Sequence, residues 1–171
     1  MNAPGLPDSP ASLKLDRQLC FALYSASLAM TKLYKPHLDA LGLTYPQYLV
    51  MLVLWQADGV SVSELGARLA LDSGTLTPLL KRLQTAGWIS RTRGAQDERR
   101  VDIHLTPAGL ALRARAVAVP AAIAQAAGCR LDELASITTE LQALRRRLLD
   151  AANTPPAPIF STPGATSPAL T

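Results

Sequence analysis

DSGTLTPLLKRLQTAGWISRTRGAQDERRVDIHL, residues 72–105, reads as a short amphipathic helix, a strand, a basic turn and a second strand. On the helix, Leu76, Leu79, Leu80 and Leu83 gather on one side, while Thr75, Pro78, Lys81 and Arg82 fall on the other. Asp72 stands where an N-cap is needed, and Gly87 stands where a left-handed residue would close the helix. Pro78 removes one backbone donor inside the helix and is expected to bend it. Residues 88–93 and 101–105 suit strands. In the second, Val101, Ile103 and Leu105 alternate with Asp102 and His104, so one face is apolar.

Just upstream, Ser61-Val62-Ser63-Glu64 has the spacing of a capping box, and Leu65 and Leu69 follow as an i, i+4 pair. Two short helices joined by a tight turn at Leu71-Asp72, then a hairpin, make a winged helix-turn-helix. Its second helix is of a kind that enters a DNA major groove. The fold class expected is therefore mainly α with a small β-wing.

Charge agrees with that reading. Between residues 81 and 100, Lys81, Arg82, Arg91, Arg93, Arg99 and Arg100 face only Asp97 and Glu98. That excess equals the whole net charge of the chain, +4, because the other eleven basic and eleven acidic residues cancel. Positive charge concentrated on one segment is what phosphate neutralisation requires. Ser73, Thr75 and Thr77, at the helix start, are candidates for base contact; Lys81 and Arg82 suit phosphates, which fix register without reading sequence. At the wing tip, Arg99 or Arg100 suits a narrow minor groove, and Asp97 is placed to orient Arg99. A solvated hairpin is the plainer alternative.

Outward from this unit, residues 12–34 read as one long helix with Leu15, Leu19, Ala22, Leu23, Ala26, Met30 and Leu33 as its apolar stripe and Cys20 at the edge. On that reading Cys20 lies beyond the first helical turn and gains little from the helix dipole. Thr106-Pro107 starts another helix, kinked at Pro120 and stopped by Gly128. A last helix, about 130–152, spaces Leu134, Ile137, Leu141, Leu144 and Leu148 as a partner-binding seam, with Arg145 to Arg147 mainly outside it. Residues 1–11 and 153–171, the latter Pro-rich, are expected to be disordered tails.

The chain has two cysteines, Cys20 and Cys129, too few for a disulfide framework. With no basic leader and no apolar run of transmembrane length, it is expected to be cytoplasmic, where a disulfide is a signal and not a staple. On composition alone, both cysteines read as small core residues. His37 and His104 are isolated, so no metal site and no cofactor are expected.

Two stretches, LCFALYSASLAMTKLYKPHLDALGLTYPQYLVMLVLW at 19–55 and LDSGTLTPLLKRL at 71–83, with the Asp-x-Arg wing at Asp97-Glu98-Arg99, resemble the MarR winged-helix regulators. The closer resemblance, over roughly residues 13–150, is to their organic-hydroperoxide-sensing subgroup. It implies a regulatory domain at 12–152, with a DNA-reading part at about 46–105 and dimerisation helices at about 12–41 and 107–152. It also implies a homodimer on a near-palindromic double-stranded operator, with an organic hydroperoxide as effector and Cys20 as the redox sensor. Tyr34 lies about 21 Å along a continuous helix from Cys20. The resemblance has Tyr34 and Tyr45 donate to this sulfur across the dimer interface, stabilising a thiolate; Tyr24, one turn from Cys20, is a further candidate. It further implies that Cys129, of the partner subunit, resolves oxidised Cys20 as a reversible disulfide. Arg17, three residues before Cys20, is either a helper or solvated.

Two rival readings remain. One is a MarR-type repressor answering to a reversibly bound phenolic ligand. The other is a two-cysteine thiol peroxidase, which the lack of a strand-rich framework and of Cys-x-x-Cys disfavours, so no enzyme is expected.

Overall fold

A computed structural model describes residues 13–93 and 100–154. Among the described residues the α-helices and β-strands follow in order: α1 (Leu19–Asp39), α2 (Tyr45–Gln56), β1 (Val60–Ser61), α3 (Val62–Leu69), α4 (Ser73–Thr85), β2 (Ile89–Arg93), β3 (Val101–Leu105), α5 (Pro107–Ala116), α6 (Val119–Ala126) and α7 (Leu131–Ala152). They divide into two compact units, one running to residue 128 and one from residue 129.

In the first unit the core is built around α2. Val50, Met51 and Leu54 of this helix are essentially inaccessible, as are Leu65 of α3, Leu76, Leu80 and Leu83 of α4, Ile89 of β2 and Ile103 of β3. Burying each such side chain contributes about 1.5–3 kcal/mol. Asp72 caps α4 as its sequence position suggested, accepting the Thr75 backbone N–H at 2.8 Å. Gly87 closes the segment at φ +79°. Pro78 lies within α4, which runs through it to Thr85. Ser61 caps α3, accepting the Glu64 N–H at 3.2 Å.

Between α3 and α4 the turn is made by Ala70 at φ +54°, a left-handed conformation that leucine, valine or isoleucine would tolerate less well. The spacing pattern alone did not disclose it. Gly66 makes the turn tight, because a Cβ there would stand 2.9 Å from the Leu71 carbonyl oxygen.

The sheet has three antiparallel strands in the order β1-β3-β2. Val60 pairs with Ile103 and Ile89 with Leu105. β1 has two residues and leaves no alternating pattern to read, so the sequence suggested a two-stranded hairpin where there is a third strand. β2 begins at Ile89, and β3 has the expected bounds.

Two helices differ from expectation. Instead of one helix from residue 12, a 3-10 turn over Leu15–Arg17 precedes α1, and Gln18, extended at φ −86° and ψ 114°, separates the two. Leu13, Leu15 and Leu19 are 86%, 60% and 56% exposed, so no packing enforces helix there, and a short uncovered helix is marginal on propensity alone. The expected helix from Pro107 is likewise two, α5 and α6, with Pro120 near the start of the second and not at a mid-helix kink. Proline is tolerated in a first turn, so the break falls just before it, at residues 117–118.

The stretch Pro107–Ala126 is, against expectation, long and apolar enough to span a membrane by length and composition alone. It carries Arg113 and Arg115, and its Leu112, Ala116, Val119, Ile123 and Ala124 are buried in the fold. A core-facing stripe accounts for part of its apolar character.

The second unit is α7 with its lead-in. Arg130 precedes the helix, its backbone N–H donating to Glu133 at 2.9 Å and its side chain to Asp132 at 2.9 Å. None of its residues is buried; of the expected seam, Leu134 and Leu144 are half-covered, and Ile137, Leu141 and Leu148 are exposed.

Candidate functional site

The outward face of α4 presents Ser73, Thr75, Thr77, Lys81 and Arg82, all exposed, opposite its buried leucines. This is the division the spacing predicted. Thr75 is more constrained than its sequence position disclosed: its hydroxyl donates to Asp72 Oδ2 at 2.9 Å. The Asp72 carboxyl is held below the usual carboxylate range by the Thr75 backbone N–H first and the Thr75 hydroxyl second.

On the wing, Asp97 and Arg99 lie outside the described residues. Arg100 is described, and its Nε donates to Asp102 at 2.8 Å. Arg91 and Arg100 line a groove of about 640 Å³ with Ser61, Ser63 and Ser73, over a floor that includes Leu71 and Leu76. His104, expected as a surface strand residue, is partly exposed, with Nδ1 3.6 Å from the Asp58 carboxylate; Asp58 also accepts the Leu105 N–H at 2.7 Å.

Cys20 is exposed and Cys129 half-buried, both as thiols. Cys20 is the second residue of α1, where the first ladder bond runs from the Ala22 N–H to the Gln18 carbonyl at 3.0 Å. The expectation that it lies beyond the first turn is therefore wrong. The uncovered start of the chain forms a 3-10 turn, which moves the helix origin to this cysteine. Cys20 therefore lies in the first turn of a 21-residue helix, at its positive end.

Fourteen residues along the same helix, Tyr34 meets Tyr45 edge-on, ring centroids 5.1 Å apart, and Tyr48 at 6.0 Å. Burial, and then the neighbouring Tyr45, push the Tyr34 phenol above its ordinary range. Tyr48 is pushed the same way by burial, then by Tyr34 and Tyr45. Tyr24 stands apart on α1, 62% exposed. The fold thus joins Tyr34 with Tyr45 and leaves Cys20 and Tyr24 at the uncovered end of α1. Cys129 opens the second unit, after Gly128 at φ +65°.

Sequence reading missed Tyr48 and Trp55, which extend the tyrosine pair inward. Tyr48 meets Trp55 at 6.3 Å, and the Trp55 indole N–H donates to the Gly109 carbonyl at 2.9 Å. Gly109 lies directly against the Trp88 carbonyl. Trp88 in turn donates its backbone N–H to Leu83, near the end of α4. The i, i+3 spacing of Tyr45 and Tyr48 was the available signal.

Known proteins resemble this chain in sequence and in fold. Residues 32–112 match the family described as transcriptional regulator SarA/Rot. The chain is 48% identical over 141 residues to the HTH-type transcriptional regulator TtmR of Methylorubrum extorquens, covering 82% of this chain and 71% of that protein. It is 52% identical over 111 residues to the organic hydroperoxide resistance transcriptional regulator of Bacillus subtilis, covering 65% and 76%. Among solved structures it is similar to AbfR bound to DNA, reduced and overoxidised, each at TM-score 0.65 and 37% identity over 81% of this chain and 96% and 97% of AbfR. AbfR with a disulfide formed matches at TM-score 0.56 and 36% identity, over 78% of this chain and 94% of that one.

Proposed function

The chain belongs to the MarR/SarA winged-helix transcriptional regulators, and from that premise we propose that it is a dimeric, redox-sensing repressor that leaves its operator when Cys20 is oxidised by an organic hydroperoxide. The observation that carries this reading is Cys20 itself, an exposed thiol in the first turn of α1, in a chain 52% identical to a regulator of organic hydroperoxide resistance.

In the reduced dimer, α4 of each subunit enters a major groove and each wing reaches the neighbouring minor groove. Thr75 and Thr77 face bases; Lys81 and Arg82 face phosphates. Tyr34 and Tyr45 of one subunit donate to the Cys20 sulfur of the other, adding to the helix terminus as stabilisers of a thiolate. The thiolate attacks the outer peroxide oxygen, the O–O bond breaks, and the leaving alkoxide takes a proton to depart as an alcohol. Cys20 is left as a sulfenic acid. The partner's Cys129 thiol then attacks that sulfur, an S–S bond forms and water leaves. Two electrons from a dithiol restore both thiols.

The bridge, and not the added oxygen, ends DNA binding. AbfR, the solved relative, is found on DNA both reduced and overoxidised, and separately with a disulfide formed, which supports this order. The α1 and α7 surfaces left uncovered in a single chain form the dimer contact. Acting on DNA, the protein works in the cytoplasm, and Cys20 reacts stoichiometrically without turnover.

A gel shift with the DNA upstream of the protein's own gene tests the reading. The reduced protein retards the fragment, cumene hydroperoxide releases it, and dithiothreitol restores the complex; Cys20→Ser stays bound throughout. Release of Cys20→Ser by hydroperoxide would sink the proposal. A second reading draws on the groove between α3 and the strands, whose arginines and serines suit a phenolic acid. It requires that such an acid release the wild type and Cys20→Ser alike.

A further inference from the structure

Asp72 holds the Thr75 hydroxyl in one orientation. Its two carboxylate oxygens take the two Thr75 donors: Oδ1 accepts the backbone N–H at 2.8 Å and Oδ2 the hydroxyl at 2.9 Å. A threonine hydroxyl has one hydrogen and two lone pairs. With its hydrogen engaged, Thr75 has only acceptor capacity left for a partner outside the protein. Both side chains are exposed, in the first turn of the helix whose outward face carries the groove-facing residues. An exposed aspartate is ionised at neutral pH, and these hydrogen bonds hold the Asp72 carboxyl lower still, so it remains an acceptor there.

In the major groove, adenine offers a donor at N6 and cytosine a donor at N4, while guanine offers acceptors at N7 and O6 and thymine an acceptor at O4. We infer that Thr75 is a specificity-determining residue: because Asp72 takes its proton, it accepts from the amino group of adenine or cytosine and selects against guanine and thymine at one position of each half-site. Opposite an acceptor edge, lone pairs would meet with no hydrogen between them, and both groups would lose hydration without return. This rests on α4 being the helix that enters the groove, as proposed above.

The test is selection from a pool of duplexes randomised across a half-site, using the full-length reduced protein. Wild type should show one position per half-site where adenine or cytosine is preferred over guanine and thymine by about tenfold. Thr75→Val, close in shape but without the hydroxyl, should lose the preference at that position alone. Asp72→Asn keeps a good helix cap, but its amide can donate to Thr75 and free the hydroxyl hydrogen. It should therefore shift the same position toward guanine or thymine. A duplex with purine, lacking the N6 amino group, in place of adenine at that position should bind wild type about tenfold less tightly and leave Thr75→Val unaffected. Should Thr75→Val select the same bases as wild type at every position, or Asp72→Asn retain the adenine or cytosine preference, the inference is overturned. A wild-type protein that enriches no sequence removes the groove reading itself, and the inference with it.

Discussion

At residue scale, Tyr34 is the side chain whose chemistry can be isolated with least disturbance, because removing its hydroxyl leaves the ring packed on Tyr45 and Tyr48. Tyr34→Phe should slow oxidation of Cys20 by a substoichiometric hydroperoxide, measured as loss of titratable thiol, while operator affinity of the reduced protein stays within twofold. Equal oxidation rates in the two proteins would remove this phenol from the mechanism. The raised phenols also set a pH limit. Tyr34 and Tyr48 hold their protons in the fold beyond the ordinary range near 10, so the folded state binds more protons than the unfolded one there. The contribution of these two phenols to stability is therefore fully present below about pH 10 and is lost as pH rises through the raised values. Urea melts at pH 8 and 11 should show this, with a smaller decline in Tyr34→Phe. Arg99→Ala should weaken operator binding and reduce the salt slope by about one. Of these residues, Cys20, Tyr34 and Tyr45 were legible in the sequence as isolated chemical types. Tyr48 was not, because a buried tyrosine on an apolar helix looks like any other core aromatic.

At the scale of elements, what could be read depended on whether local chemistry or packing sets the boundary. The caps at Ser61, Asp72 and Thr106 and the stops at Gly87 and Gly128 are local, and each stands where its residue type placed it. The origin of α1 and the gap between α5 and α6 depend on what covers them, and there the periodicity overran the helix. Ser61→Ala should cost about 1 kcal/mol through lost capping, read by chemical denaturation. Gly109→Ala should cost more. A methyl there overlaps the Trp88 carbonyl, so the start of α5 must move away from the wing, at about 1–3 kcal/mol. A variant as stable as wild type would mean that α5 is free to shift where the structure has it fixed against the hairpin.

For the whole molecule, the proposed dimer would cover the apolar half of α1 and the exposed face of α7 with a second copy, and two-fold pairing would set two α4 helices roughly 34–36 Å apart. Inserting five base pairs between operator half-sites should therefore abolish tight binding, whereas inserting ten should restore part of it. Cys129→Ser should still lose its Cys20 thiol to cumene hydroperoxide but give no disulfide-linked dimer on a non-reducing gel, and should stay on DNA longer than wild type. Release of this variant at the wild-type rate would show that a bridge through Cys129 is not needed. Pairing across subunits was implied by family resemblance and could not have been reached from spacing, because a sequence shows which faces are apolar and not which of them meet. Finally, the chain's two tryptophans, Trp55 and Trp88, flank the same glycine, one through its indole N–H and the other through its backbone carbonyl. The fold has in effect fitted its own optical probe at the junction of hairpin and helices, so ultraviolet emission recorded without any attached dye should follow strain at that joint in real time as peroxide is added.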